Sequence, residues 1–326
     1  MRPRVSQDPS RLKVLDLGRY LAGPVTATLL GDLGAEVIKI ERPVVGDLAR
    51  HVSPHPGGRD EGMSYEFQIE GRNKRSITLD YSRPEGAELF HKLVRWADIL
   101  VENFTPGTME KWGLGYEALS EINPRLVYVA ISGFGRTGPY SQRPGFDFVA
   151  SAFGGLMYST GLSDGPPTTT GYAMADMATP AFAALGAVEA VRRRDAPGGT
   201  GRGELVDLGL YESILRMATP FLAVYARERR NRERESSRPR HDGKPAMATW
   251  GYTFKTLDER WIVMMPPLND TQRALYSELI GQELPQEPVH SAPIFCSGYT
   301  WKTCPLDRST VSPTSSPIRM SSSATW

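Results

Sequence analysis

The residue of this sequence best placed to do chemistry is a carboxylate, Asp176, at the start of an apolar segment. It follows residues 171–175, and an Ala-rich segment that ends in three arginines (residues 181–194) comes after it. This pattern predicts a helix with Asp176 at its N-cap and Pro180 in its first turn, where a missing N–H does no harm. Backbone N–H groups and the helix dipole would hold the carboxylate ionised, the state that a carboxylate nucleophile requires. The ordinary alternative is a plain helix cap.

A second group of residues has the chemistry to bind a phosphate or an adenine ring. Arg42 directly follows a predicted strand, where a basic side chain can meet a ribose phosphate of NADP or of coenzyme A. Asn103 offers an amide that can read an adenine edge, and Phe104 offers a ring that can stack. Lys111 is a further phosphate partner, and the glycine-rich residues 133–139 supply backbone that can approach an anion. The ordinary alternatives are a solvated charge, a loop amide, a core ring and a simple turn.

Short apolar strands alternate with helical segments as far as residue 208, and this order predicts an open α/β sheet. The predicted strands lie at residues 13–17, 36–41, 75–80, 98–101, 126–131 and 204–208, and the predicted helices include 24–33, 84–97 and a long one from 211. Strands joined by helical crossovers run parallel, so we expect a mostly parallel, Rossmann-like sheet with helices on both faces. Ligands of such sheets bind at the carboxyl ends of the strands, where Arg42 and Asn103 fall.

The composition divides the chain into three parts. Residues 1–225 hold the predicted sheet domain with the nucleophile, and residues 226–290 hold a charged segment, a linker and part of a smaller second domain. The second domain has predicted strands at 249–256 and 260–264 and a predicted helix at 271–281. Residues 291–326 are rich in Ser, Thr and Pro and contain both cysteines. We expect this tail to be disordered or out of frame, and the C-terminus to be truncated.

The composition also argues against several classes of function. A net charge of +1 gives no reason to expect nucleic acid or an anionic membrane as a partner. Five scattered histidines lack the spacing of metal ligands, and two cysteines make no disulfide framework. No run approaches the length of a transmembrane helix and no apolar signal core opens the chain, so we expect a cytoplasmic protein. Residues 18–23 lack the G-x-G-x-x-G pattern, which argues against a dinucleotide cofactor.

Taken together, these segments resemble the family III CoA-transferases, of the formyl-CoA transferase and carnitine CoA-transferase type. The matching motifs are VLDLGRYLAGP (14–24), LGAEVIKIERP (33–43), NKRSITLD (73–80), VENFTPG (101–107), GFGRTGPY (133–140), RPGFD (143–147) and ADMAT (175–179). Their order and spacing are specific for the family and much less specific for a substrate.

The resemblance implies a role for individual residues. Asp176 falls on the family's catalytic aspartate, and Arg42 falls on the arginine that meets the adenosine phosphate of CoA. The other positions that fall on CoA contacts are Leu21, Ala22, Leu79, Asn103, Phe104, Thr105 and Lys111. The chain departs from the family at Pro180, where many members have glycine. It also departs at residues 291–326, which replace the family's segment that returns from the small domain to the large one.

The resemblance further implies acyl transfer by covalent catalysis. The Asp176 carboxylate attacks the thioester of an acyl-CoA donor, an aspartyl anhydride and an aspartyl-CoA thioester follow, and a carboxylic acid acceptor takes the CoA. Coenzyme A enters as part of a substrate, and no metal or redox cofactor is expected. N–H groups of the glycine loop are expected to stabilise the oxyanions. The family forms interlocked homodimers that need the return segment, so we do not expect that dimer for this chain.

Two other functions stay open beside the CoA-transferase. An α-methylacyl-CoA racemase of the same superfamily moves a proton next to the thioester and needs two acid/base groups. Racemases of this fold carry histidine in a Gly-His-Asp sequence, where this chain has Gly145, Phe146 and Asp147, and phenylalanine carries no proton. A truncated, non-catalytic CoA-binding protein is the other alternative, and the missing return segment favours it.

Overall fold

A six-stranded parallel sheet forms the centre of the protein. The computed structural model describes residues 11–52, 54–56, 62–161, 165–231, 252–255, 261–264, 269–272 and 274–275. The strands are β1 (Lys13–Asp16), β2 (Glu36–Glu41), β3 (Lys74–Thr78), β4 (Ile99–Glu102), β5 (Val127–Ser132) and β6 (Leu205–Gly209). They lie in the order β3-β2-β1-β4-β5-β6, and every neighbouring pair is parallel. The order reverses between β1 and β4, and such sheets bind ligands in the crevice at that point.

Helices connect the strands and cover the sheet. They are α1 (Ala22–Asp32), α2 (Tyr65–Glu70), α3 (Pro84–Trp96), α4 (Thr108–Lys111), α5 (Tyr116–Ile122), α6 (Asp147–Phe153), α7 (Leu156–Ser159), α8 (Met174–Asp195), α9 (Leu210–Met217) and α10 (Thr219–Glu228). A short 3-10 helix, Leu48–His51, follows β2. The predicted α/β fold with a parallel sheet is therefore confirmed, and the predicted strands within residues 13–208 match the observed ones to within one or two residues at each end.

Apolar residues on both faces of the sheet explain why the central strands β4 and β5 are nearly continuous apolar runs. Val14, Ile99 and Val127 point to a core that includes the alanines of α8. Leu15 and Leu100, the next residues along β1 and β4, point to the opposite core, which includes Phe90, Val94 and Tyr128. Successive side chains of a strand alternate between its faces, so a strand covered by helices on both sides carries mostly apolar residues.

Two sequence expectations about helices are wrong: that a single long helix begins at residue 211, and that no segment approaches the length of a transmembrane helix. The long helix predicted from residue 211 is two helices, α9 and α10, which meet at Ala218 because Pro220 stands in the first turn of α10 and lacks the N–H that a continuous helix would use. Among the described residues, α8 is long enough, at 22 residues, to span a bilayer, and an 18-residue window of it has a mean hydropathy of 1.2, so it meets that criterion by length and composition only. One side of α8 packs against the core, where Ala183, Ala187 and Ala190 are buried, and Leu185 on the helix is exposed.

The chain separates into two compact units. The first comprises residues 1–160 and 167–232 and carries the six-stranded sheet, whereas the second comprises residues 161–166 and 233–326. In the second unit, the strands β7 (Tyr252–Lys255) and β8 (Trp261–Met264) pair antiparallel, with Thr253 opposite Val263. Both strands lie in the segments predicted as strands, and residues 270–272 and 274–275 are helical. The tail predicted for residues 291–326 lies outside the described residues, and the domain boundaries at 225 and 290 remain predictions.

Candidate active site

Asp176 is the third residue of α8, one turn inside the position that its sequence predicts. The N-cap is Ala173, which has no side chain to accept a hydrogen bond. The carboxylate of Asp147, the first residue of α6, takes that role, because the backbone N–H groups of Ala175 and Asp176 donate to its Oδ1 at 2.6 and 3.1 Å. The predicted N-cap role of Asp176 is therefore wrong, and a residue from another helix caps α8.

The side chain of Asp176 is half-buried and receives no hydrogen bond from the residues that the structure describes. Burial, the charge of Asp147 and then the charge of Glu66 raise the pKa of Asp176 to about 7. The sequence predicted the opposite direction, since it assigned the free N–H groups of the helix start to Asp176 itself. The carboxylate is thus half-buried, without an ion pair among the described residues, and close to its pKa at neutral pH, which is a reactive state for a nucleophile.

Pro180 lies in the second turn of α8, inside the helix, and not in the first turn as predicted. A proline has no N–H to donate to the carbonyl four residues earlier, so Pro180 leaves the main-chain carbonyl of Asp176 without that helical bond. The next carbonyl towards the N-terminus, that of Ala175, accepts a hydrogen bond from the hydroxyl of Thr179 at 2.8 Å. The helix runs on through Pro180, so this departure from the family leaves Asp176 in the first turn.

The positions expected to bind CoA follow the carboxyl ends of four adjacent strands. Leu21 and Ala22 come after β1, Arg42 after β2, Leu79 after β3, and the segment 103–105 after β4. The two loops after β2 and β3 are joined, because the Leu79 N–H donates to the Glu41 carbonyl at 3.0 Å. Among the described residues Arg42 makes no ion pair, and its side chain is exposed. An exposed, unpaired guanidinium at a strand end is available to an incoming phosphate.

The side chain of Asn103 joins the loop after β4 to the loop after β1. Its Nδ2 donates to the Arg19 carbonyl at 2.8 Å, and its Oδ1 accepts from the Arg19 N–H at 2.8 Å. The Arg19 guanidinium lies over the Phe104 ring, 4.7 Å from its centre, and Trp112 packs edge-on against that ring at 5.6 Å. One face of Phe104 is therefore occupied by a cation, and both polar atoms of the Asn103 amide already have partners. These contacts match the ordinary alternatives, a loop amide and a core ring, and the CoA contact of both residues remains a prediction.

The remaining predicted positions differ in accessibility. Ala22 is 3% exposed, so its methyl group is buried in the core, and Leu21 is half-buried. Thr105 and Lys111 are exposed, and Lys111 ends α4 without an ion pair among the described residues. Of these four, Thr105 and Lys111 have side chains free to contact a ligand.

The glycine loop after β5 is held in place by close packing. A side chain on Gly133 would lie 2.5 Å from the Cα of Gly145, so both positions require glycine. This contact places the start of α6, and hence Asp147, beside the end of β5. The Arg136 N–H donates to the carboxylate of Asp207 at 3.0 Å, so it is not free for an oxyanion. The other N–H groups of the loop remain the predicted donors.

Three acidic residues of this region were not predicted from the sequence. Asp147 lies in the RPGFD motif, and its position at the start of a helical segment is the signal that could have identified it. Glu66 lies on α2 and acts on Asp176 through space. Glu102, which is 2% exposed, accepts from the Phe104 N–H at 2.7 Å and lies 3.7 Å from Arg136, and burial raises its pKa to about 7. No three His, Cys, Asp or Glu side chains in the part of the chain that the structure describes are grouped to hold a metal ion.

Comparison with known proteins identifies the family. The family model described as CoA-transferase family III matches residues 10–293. The chain belongs to CoA-transferase family III. The beta subunit of succinyl-CoA–L-malate CoA-transferase from Chloroflexus aurantiacus is 41% identical over 254 residues, which are 78% of this chain and 60% of that protein. Succinyl-CoA:mesaconate CoA-transferase from Haloarcula hispanica is 44% identical over 220 residues, 66% of this chain and 54% of that protein.

A solved structure supports the same assignment. A CAIB/BAIF family protein from Brucella suis has a TM-score of 0.71 and 36% identity, with 83% of this chain and 68% of that chain covered. The predicted resemblance to family III CoA-transferases and the predicted α/β fold are thereby confirmed. The chain spans 60% or less of the length of the two curated relatives named above.

Proposed function

We propose that this family III protein transfers coenzyme A from an acyl-CoA to a carboxylic acid, with Asp176 as the covalent nucleophile. The observation that carries the proposal is the carboxylate of Asp176, which is half-buried, without hydrogen bonds among the described residues, and placed in the family's ADMAT motif. The relatives named as CoA-transferases support the same reaction class.

The transfer is a series of acyl substitutions. The ionised Asp176 attacks the thioester carbonyl, the C–S bond breaks, and CoA thiolate leaves a mixed anhydride. The thiolate attacks the aspartyl carbonyl and releases the donor acid, which gives an aspartyl-CoA thioester. The acceptor carboxylate then attacks that thioester, the thiolate leaves again, and its attack on the acceptor's carbonyl forms the new acyl-CoA and frees Asp176. The steps balance without an oxidant or a reductant.

The environment of Asp176 favours its reaction as a nucleophile in two ways. Its pKa of about 7 leaves a useful ionised fraction at neutral pH, and the missing hydrogen bonds leave both oxygens free to attack. Because Asp147 occupies the two N–H groups at the start of α8, those groups do not stabilise the ground-state carboxylate of Asp176. Stabilising the ground state less than the transition state is what raises a rate.

We propose that the CoA moiety lies along the carboxyl ends of β1 to β4. Arg42 would hold the adenosine phosphate, since it is an exposed guanidinium without an ion pair among the described residues, and Lys111 and Thr105 would add polar contacts. The switch between β1 and β4 gives the crevice in which such sheets bind nucleotides. Succinyl-CoA is the first donor to test, with dicarboxylic acids as acceptors, because the relatives' names give succinyl-CoA with L-malate, mesaconate and glutarate.

The test is the substitution Asp176→Asn, which keeps the shape of the side chain and removes its nucleophilic charge. We expect transfer from succinyl-CoA to fall to trace level in this variant. We also expect it to lose the covalent capture of CoA on the protein, which intact-protein mass spectrometry with hydroxylamine trapping detects. Glu85→Gln is the matched control, because Glu85 is an exposed carboxylate in the first turn of α3. Normal transfer by Asp176→Asn would contradict the proposal, and so would hydroxylamine trapping at another residue.

A further inference from the structure

A buried chain of four charged side chains lies under the loop that joins β1 to α1. Lys74 contacts Asp16 at 2.8 Å, Asp16 lies 3.6 Å from Lys39, and Lys39 contacts Asp47 at 2.9 Å. The side chains of all four are 2% exposed or less. Removing four charges from water is costly, and hydrophobic residues of similar volume often stabilise a fold equally well. Stability alone therefore does not explain why these four charged side chains are buried here.

The chain of charges binds the main chain of the loop directly. The Lys39 ammonium donates to the Gly18 carbonyl at 2.8 Å, and the Gly18 N–H donates to Asp16 Oδ1 at 2.8 Å. The Tyr20 N–H donates to Asp47 Oδ1 at 3.1 Å. The side chains thus satisfy the polar groups of a turn that belongs neither to the strand before it nor to the helix after it.

Further contacts fix the rest of the same segment. The side chain of Asn103 hydrogen-bonds to both the N–H and the carbonyl of Arg19. The Lys74 ammonium donates to the Pro24 carbonyl, in the first turn of α1, at 2.7 Å. Tyr20 is held at φ 57°, a left-handed conformation that residues other than glycine rarely adopt. A backbone in such a conformation persists only where its surroundings fix it, and such positions cluster at functional sites.

Within this cluster the fold favours the charged forms of Asp16 and Lys39, whereas burial lowers the pKa of Lys74. Burial opposes ionisation, yet the neighbouring Lys39 and Lys74 lower the pKa of Asp16, and Asp16 and Asp47 raise the pKa of Lys39. Asp47 is also anchored from β2, because its N–H donates to Glu41 Oε2 at 2.9 Å. The side chain of Asp47 therefore arrives at Tyr20 from a fixed position.

Loop 18–21 connects the positions expected to contact CoA with the surroundings of Asp176. It leaves β1 at the point where the strand order reverses, and it continues into Leu21 and Ala22, two of the positions expected to contact CoA. The ring of Tyr20 packs edge-on against Phe146, with ring centres 6.2 Å apart, and Phe146 directly precedes Asp147, which caps the helix of the nucleophile. A shift of the loop would therefore disturb both CoA binding and the surroundings of Asp147.

We propose that Asp16, Lys39, Asp47 and Lys74 are positioning residues that hold loop 18–21 in its CoA-binding conformation. This inference rests on the proposed function, since it assigns to loop 18–21 the CoA moiety of that reaction. A loop that is competent only part of the time weakens apparent affinity in proportion to the competent fraction. All four side chains are buried and hydrogen-bond to the backbone of residues 18–24, so we expect their effect on CoA binding to be indirect.

The test compares three variants of the full chain by calorimetric binding of free CoA and by hydrogen exchange. Asp47→Ala removes the acceptor of the Tyr20 N–H, and we expect CoA affinity to fall roughly tenfold or more, as a competent fraction of about one tenth would give. Asp47→Asn keeps an acceptor oxygen and should retain more of the affinity than Asp47→Ala does. Asp32→Ala is the matched control: Asp32 ends α1 at the opposite edge of the sheet, where it pairs with Arg72 at 2.5 Å, and we expect its CoA affinity to stay within about twofold of the wild type.

Hydrogen exchange measures how often the amides of loop 18–21 open, and it requires no enzymatic activity. In Asp47→Ala we expect faster exchange of the amides at Arg19 and Tyr20, with β1 itself unchanged, whereas a general loss of stability would speed exchange across the whole sheet. Faster loop exchange with unchanged CoA affinity would overturn the inference, and so would equal losses in Asp47→Ala and Asp32→Ala. If Asp47→Ala does not fold, Asp47→Asn decides the question by the same two measurements. A wild-type chain that binds no CoA would count instead against the proposed function.

Discussion

Replacing Asp147 by asparagine isolates the effect of one negative charge on the proposed nucleophile. Asp147 is 5% exposed and accepts two hydrogen bonds from the start of α8 through Oδ1. An asparagine amide oxygen can accept the same bonds, so the helix keeps its cap while the charge that acts on Asp176 is removed. We expect the pKa of Asp176 to fall, because a neighbouring like charge disfavours ionisation.

The size of the effect follows from the environment of Asp176. Its pKa is raised from 3.8 to about 7, and a difference of roughly three units corresponds to about 4 kcal/mol. Burial is the largest cause, Asp147 the second and Glu66 the third. The charge of Asp147 therefore accounts for no more than half of the shift, and its removal should lower the pKa of Asp176 by up to about 1.5 units.

The assay is the pH dependence of kcat/KM for the acyl-CoA, measured from roughly pH 5 to 9. The wild type should lose activity on acidification with an apparent pKa near 7, since a protonated Asp176 does not attack. In Asp147→Asn this acidic limb should move to lower pH, whereas Glu85→Gln should leave it in place. An acidic limb at the wild-type position in Asp147→Asn would refute the electrostatic reasoning, and a collapse of activity at every pH would mean that the cap needs the charge.

Three further predictions concern Asp176, Arg42 and Phe146. Asp176→Asn should be more stable than the wild type above about pH 7, by up to about 4 kcal/mol in urea unfolding, and the difference should disappear below about pH 4. The sign follows because a carboxyl group whose pKa is higher in the folded than in the unfolded state destabilises the fold as the pH rises between those two values. Equal stability of the two proteins at high pH would show that ionised Asp176 does not destabilise the fold. Arg42→Ala should weaken binding of CoA by roughly 1.5–3 kcal/mol in calorimetry and hardly change binding of dephospho-CoA, and equal losses for both would make Arg42 structural. A chiral 2-methylacyl-CoA in deuterated water should keep its α-proton, because Phe146 carries no proton, and catalytic deuterium uptake by mass spectrometry would support the racemase instead.

The architecture was predictable because its signals are local. Nearly continuous apolar runs such as those of β4 and β5 require burial on both faces, and their alternation with helices leaves a parallel sheet as the simplest arrangement. The same locality identified Asp176, since a carboxylate before an Ala-rich helix is visible in a window of ten residues. The split between α9 and α10 was missed although its cause, Pro220, is also local.

The chemistry around Asp176 was not predictable from the sequence, because it depends on residues far away along the chain. The acceptor for the N–H groups of α8 is Asp147, 28 and 29 residues before the donors, and Glu66 acts from α2. The sequence places Asp176 at a helix start, where a low pKa is expected, and tertiary packing reverses the direction by giving those N–H groups to Asp147. In the same way, Lys39 and Lys74 read as strand charges, and only the fold buries them beneath one loop. The sequence thus determined which groups are present and on which elements, and tertiary contacts decided their protonation, because desolvation and neighbouring charges are properties of three-dimensional distance.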